Sequence, residues 1–104
     1  MARTYQVSIL TPQGEVFKGT AESLSAQGQM GGFGVLAGHA PIIYALDKGV
    51  LKVTAEGKER FFTHATGILE VKPDHDVLVL VDDAAAADSA EDAKAKLAAG
   101  AKTS

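Results

Sequence analysis

Gly49–Val81, GVLKVTAEGKERFFTHATGILEVKPDHDVLVLV, decides the fold, because short extended segments alternate in it with compact turns. Leu51, Val53 and Ala55 share one face of a strand over Val50–Ala55, and Glu56-Gly57 is a tight turn that returns Lys58–Ala65 as the hairpin partner. Gly67–Lys72 reads as a further strand. Pro73-Asp74-His75-Asp76 turns the chain again, and Val77–Val81 is an apolar run suited to a strand covered on both sides.

The same grammar extends towards the N-terminus. Tyr5, Val7 and Ile9 alternate with Gln6 and Ser8, the period of a half-buried strand, and Thr11-Pro12-Gln13-Gly14 reads as a turn. Val16 and Phe17 open a second extended stretch that continues through Thr20–Ala26, with Gly19 suggesting a bulge or break. Ile42–Leu46 is short and apolar, and Asp47-Lys48-Gly49 turns into the strand that follows. Strands about ten residues apart, separated by Gly, Pro and Asp turns, predict an all-β sandwich or flattened barrel.

Composition shifts at Asp82-Asp83. Ala84–Ala87 leads to Asp88 or Ser89 as a possible N-cap, Ala90–Ala99 is rich in helix formers, and Gly100 can sit past the helix end. The division expected is therefore a sandwich over 1–83 and a short helical tail over 84–104. A helix of this length is marginal in water and needs docking.

Composition narrows the function. One domain fits in 104 residues, and the absence of cysteine removes a disulfide framework or thiolate metal site. A net charge of -3 and few aromatics argue against nucleic-acid binding, which calls for a basic face with stacking rings. No run approaches the roughly 18 apolar residues of a membrane span, so the chain reads as soluble and cytosolic. His39, His64 and His75 lack the close spacing of common metal sites; their distant assembly in a small metal-binding β-barrel enzyme is the alternative reading. No nucleophile elbow is present, the Asp82-Asp83 and Glu91-Asp92 pairs point apart, and neither a catalytic residue nor a cofactor is expected.

Gly31–Pro41, GGFGVLAGHAP, places four glycines and a proline among apolar residues with almost no charge. It contains no phosphate-loop pattern. Two readings stay open: a wide turn with Phe33, Val35 and Leu36 tucked into the core, or a docking patch that exposes Met30 or Phe33 together with His39.

Several motifs in combination carry a family resemblance: Pro12–Phe17, Gly34-Val35-Leu36, Gly38-His39-Ala40-Pro41, Gly49-Val50-Leu51, Gly67-Ile68-Leu69-Glu70-Val71 and Val77–Asp82. From Thr4 to about Ala84 the chain resembles the epsilon subunit of the F-type ATP synthase. The resemblance implies a ten-stranded β-sandwich followed by a helical hairpin, shortened here to one C-terminal α-helix, and a non-catalytic rotor protein at the foot of the central stalk. It implies the gamma subunit and the membrane c-ring as partners, no nucleic acid, no homo-oligomer, and a peripheral place on the cytoplasmic face of the bacterial inner membrane through the complex alone. Met30, Gly31, Gly32, Phe33, His39, Ala40 and Pro41 are the residues expected at the rotor contact. The chain departs from the family where Gly32 replaces a common acidic residue and Ala37 a common proline. Lys94 stands where some relatives carry a nucleotide-binding arginine, for which lysine is a poor substitute. Relatives also carry two long C-terminal helices where one short helix is expected here.

Overall fold

A computed structural model describes residues 3–28 and 31–101. Ten strands precede one helix: β1 (Tyr5–Thr11), β2 (Gly14–Ala21), β3 (Ser23–Gly28), β4 (Gly31–Leu36), β5 (Ile42–Leu46), β6 (Gly49–Ala55), β7 (Lys58–His64), β8 (Gly67–Val71), β9 (Val77–Val81), β10 (Ala84–Ala87) and α1 (Ala90–Ala101). They form the expected ten-stranded sandwich. One sheet runs β10-β7-β6-β3-β4 and the other β5-β8-β9-β1-β2, joined by a single pairing of Gly28 with Leu46. All ladders are antiparallel except β1 with β9, which needs the long crossover the chain supplies between them.

Alternation builds the core. Tyr5, Val7 and Ile9 of β1, Leu69 and Val71 of β8, and Val77, Val79 and Val81 of β9 face Leu24, Val35, Leu51, Val53 and Phe62 of the opposite sheet. Burying each such side chain is worth about 1.5–3 kcal/mol. The Tyr5 hydroxyl donates to the Val35 carbonyl at 2.7 Å, tying the two sheets together, and burial pushes its pKa well above the usual phenol range.

The turns form where local chemistry requires them. Glu56 and Gly57 both have positive φ, 53° and 75°, which makes the β6–β7 connection a primed turn matched to strand twist. In the β1–β2 hairpin the Gln13 amide donates to Thr11 Oγ1 at 3.2 Å and Gly14 takes φ 131°.

Four readings of the sequence change. The extended stretch Val16–Ala26 is two strands, β2 and β3, interrupted at Glu22. The bulge in β2 lies at Val16, where the register jumps from Ile9–Phe17 to Leu10–Glu15; Gly19 is paired regularly with Val7 and is small because the Phe17 ring lies over it. Ala84–Ala87 is not a lead into the helix but the tenth strand, paired to Phe61–His64, so the sandwich extends to Ala87. The helix also continues through Gly100 to Ala101.

Helix α1 lies against β7, β6 and β10, with Ala93 fully buried. Its start is capped: the Asp92 amide donates to Ser89 Oγ at 3.0 Å, and Asp92 Oδ2 accepts from the Asp88 amide at 2.9 Å. That second bond, with Lys96 beside it, holds the Asp92 pKa below the usual carboxylate range. Lys96 also donates to the Ala86 carbonyl at 3.1 Å, so the helix covers part of the β10 edge.

Candidate functional site

The Gly-rich segment is a strand rather than a wide turn. Residues Gly31–Leu36 form β4, paired along their whole length with β3 from Gly28–Gly31 to Ser23–Leu36. Val35 is buried, as the core reading expects, whereas Leu36 points outward and is 67% exposed.

This geometry divides the expected contact residues between two ends of the molecule. Gly31 and Gly32 lie at the hairpin end beside Leu46, and Met30 lies outside the described residues. His39, Ala40 and Pro41 lie beyond the other end of β4, about 17–20 Å away at 3.3 Å per residue. Between them Phe33 is half-buried and stacks on Tyr44 of β5, with ring centroids 3.9 Å apart. The pair closes the side of the sandwich where β4 meets β5. The His39 ring stands at 65° to the same Tyr44, with ring centroids 6.3 Å apart.

At the His39 end, the His39 amide donates to the Leu36 carbonyl at 3.1 Å and Gly38 sits at φ 81°, as a type II turn requires. A side chain at Gly38 would also press on the Arg3 guanidinium, 3.0 Å from a methyl built there. His75, in a left-handed turn conformation, sets its Nδ1 3.2 Å from the His39 carbonyl. The turns 37–41 and 73–76 thus make one polar ledge with three cationic or imidazole groups, Arg3, His39 and His75.

The three histidines do not converge. His64 ends β7 opposite Gly49 and Ala84, at the far end of the strands from the His39–His75 ledge, and is buried at 3% exposure. Among the described residues no group of three or more His, Asp or Glu side chains is placed to hold a metal. The metal-enzyme alternative loses its ligand set on this geometry.

A larger feature lies on the outer face of the β5-β8-β9-β1 sheet, where sequence reading expected a covered strand. Register places Ile43, Glu70, Leu78 and Ser8 in one row, and Ala45, Ile68, Leu80 and Leu10 in the next. Ile43 is 61% exposed and Leu80 38%, while Ile68, Leu78 and Leu10 are half-buried. The patch runs into a shallow hollow between Leu10, Pro12, Leu80 and Asp82. Within these four strands only Glu70 brings charge, and β2 continues the rows with Lys18 beside Ser8 and Glu15 beside Leu10. A contiguous apolar surface rimmed by polar groups is built to be covered. The signal was present in the sequence, since Leu78 and Leu80 continue the apolar run on both faces of β9.

Residues 4–87 match the family described as ATP synthase, Delta/Epsilon chain, beta-sandwich domain. The chain belongs to this family. Its ATP synthase relatives include the epsilon chain of Janthinobacterium sp. (strain Marseille), 39% identical over 97 residues that cover 91% of this chain and 69% of that one. The Nitrosococcus oceani epsilon chain is 40% identical over 96 residues, covering 91% of this chain and 68% of the relative. Among solved structures, a chain of the Euglena gracilis mitochondrial ATP synthase, described as OSCP/F1/c-ring, shares the fold with a TM-score of 0.77 at 21% identity over 96% of this chain. A chain of the Tetrahymena thermophila mitochondrial ATP synthase, described as central stalk/c-ring, gives 0.66 at 20% identity over 77%. This chain covers 64% of each of those two longer chains. Among the described residues no helix is long and apolar enough to cross a membrane. Within the delta/epsilon sandwich, then, the features open to partners are an apolar sheet face, a glycine hairpin end and a histidine ledge.

Proposed function

We propose that this chain is a non-catalytic central-stalk subunit of a proton-translocating ATP synthase. In this role it binds the gamma subunit through the outer face of β5-β8-β9-β1 and meets the membrane c-ring through the Gly28–Gly31 hairpin end. The observation that carries the proposal is the apolar patch of Ile43, Ile68, Leu78, Leu80 and Leu10, which has no covering layer among the described residues while α1 lies over β6, β7 and β10 of the other sheet. A rotor element must be held by broad, rigid contact so that torque is not lost in hinge motion, and a sheet face offers that. The family membership and the central-stalk neighbours support this assignment over a free-standing binding module. Membrane association is then peripheral, through the ring.

Binding of Ile43→Lys and Leu80→Lys to a purified gamma subunit tests this. Both side chains point to solvent in the free chain, so thermal unfolding should stay within a few degrees of the parent. A lysine buried at the contact centre should weaken binding by about 1–3 kcal/mol, roughly 5- to 150-fold. Binding by both variants at parental strength would remove this face from the interface.

A further inference from the structure

His64 carries the observation that the stalk role leaves unused. Its Nδ1 lies 3.0 Å from the Ala65 carbonyl oxygen, which can only accept, so Nδ1 carries the hydrogen and Nε2 presents a bare lone pair. Nε2 is buried and has no hydrogen-bond partner among the described residues. The ring occupies a slot with small walls: its two cross-strand neighbours are Gly49 on β6 and Ala84 on β10. The β10 wall is weak, since it is a four-alanine edge strand with no large side chain to anchor it.

We propose that His64 is an acid-sensitive latch on the end of the sandwich: a proton on Nε2 finds no acceptor in the closed slot, and the slot opens by releasing β10 and the helix behind it from β7. The charged groups around the slot do not offset this. Glu15 of β2, Asp47 and Lys48 before β6, Asp82 and Asp83 before β10, and Glu91, Asp92, Lys94 and Lys96 of α1 are the charged groups on the elements around it; none lies within ion-pair distance of the imidazole among the described residues, and Asp92 pairs with Lys96 instead. The inward neighbours from β6 and β10 are glycine and alanine.

The sign follows from burial. Desolvation lowers the pKa of closed His64 below its ordinary value near 6.5, with the Ala65 carbonyl bond opposing in part. The opened state takes up its proton at the ordinary value, so it binds more protons wherever the pH lies below about 6.5. Opening is unaffected above that value. Below it, opening grows easier by up to about tenfold per pH unit, until the closed form titrates as well.

Amide hydrogen exchange on the full chain at pH 7 and pH 5, expressed as protection factors, reads the latch. Amides of Ala84–Ala87 and α1 should lose about tenfold or more of their protection at pH 5, while those of β8 and β9 keep theirs. His64→Leu should abolish the difference. The paired variant His39→Gln/His75→Gln removes the other two histidines and should retain it, which assigns the effect to His64 even where His64→Leu fails to fold. The proposal is overturned by an effect absent from the parent chain, spread evenly over all strands, persisting in His64→Leu, or lost in the paired variant.

Discussion

At the scale of single residues, two positions show backbone geometry dictating side-chain identity, in opposite directions. Gly67 pairs with Val81 so closely that a methyl there would collide with the Leu80 carbonyl oxygen and come within 2.7 Å of the Val81 Cα. Backbone cannot yield as a flexible side chain would. Gly67→Ala should therefore cost about 3 kcal/mol, read as a lower midpoint in urea, and an unchanged midpoint would mean the strands separate more cheaply than this packing allows. Glu56 is the converse, an ordinary L-residue held at φ 53° in a turn that favours Asn or Gly. Its amide donates to Glu22 Oε2 at 3.4 Å, a backbone bond that any replacement keeps. Glu56→Asn should raise stability by about 0.5–1 kcal/mol, and a lowered urea midpoint would show that the Glu56 side chain itself contributes. The Glu56-Gly57 turn was legible because φ > 0 is a local demand that sequence displays directly. Gly67 was not, because its constraint comes from a strand met ten residues later.

At the scale of elements, legibility follows whether the deciding force is local or tertiary. β1 and β6 alternate cleanly, and the structure follows that pattern within a residue or two. β10 does not, since four alanines favour helix on intrinsic propensity and become a strand only because β7 offers an unpaired edge. For the same reason β9 is covered on only one face among the described residues: Val77, Val79 and Val81 are buried, whereas Leu80 is exposed. The assignment of β10 has a measurable consequence. A chain cut after Asp88 keeps all ten strands, whereas a cut after Asp83 bares β7 along Phe61–His64. The shorter chain should be less stable than the longer one by about 2 kcal/mol, the scale of uncovering one large apolar side chain. Equal melting of the two would show that β10 adds nothing to the sandwich.

At the scale of the whole molecule, the expected contact residues within Gly31–Pro41 fall at opposite ends of one strand, and the apolar sheet face adds a third surface, whose apolar run on β9 the sequence displays but whose exposure only the fold shows. Such separation makes the proposed partners distinguishable. Gly32 lies at the hairpin end and carries no charge, so a ring contact there rests on close backbone approach. Gly32→Val should obstruct that approach and weaken binding to a gamma–ring subcomplex, while binding to gamma alone stays at parental strength. Leu80→Lys, on the sheet face, should weaken both to a similar degree. His39→Asp, on the ledge beside Tyr44, reports whether that end also faces gamma: a loss with gamma alone places the ledge in that interface. Surfaces that share no partner group and lie more than about 10 Å apart should give additive losses, so Gly32→Val/Leu80→Lys should equal the sum of its singles within about 0.5 kcal/mol. Because the centre of the sheet-face contact is apolar apart from Glu70, with Lys18 and Glu15 of opposite sign at its β2 border, its strength should change little between low and physiological salt. A steep salt dependence for gamma binding, or strong non-additivity in the double variant, would mean that one electrostatic surface does the work assigned here to two.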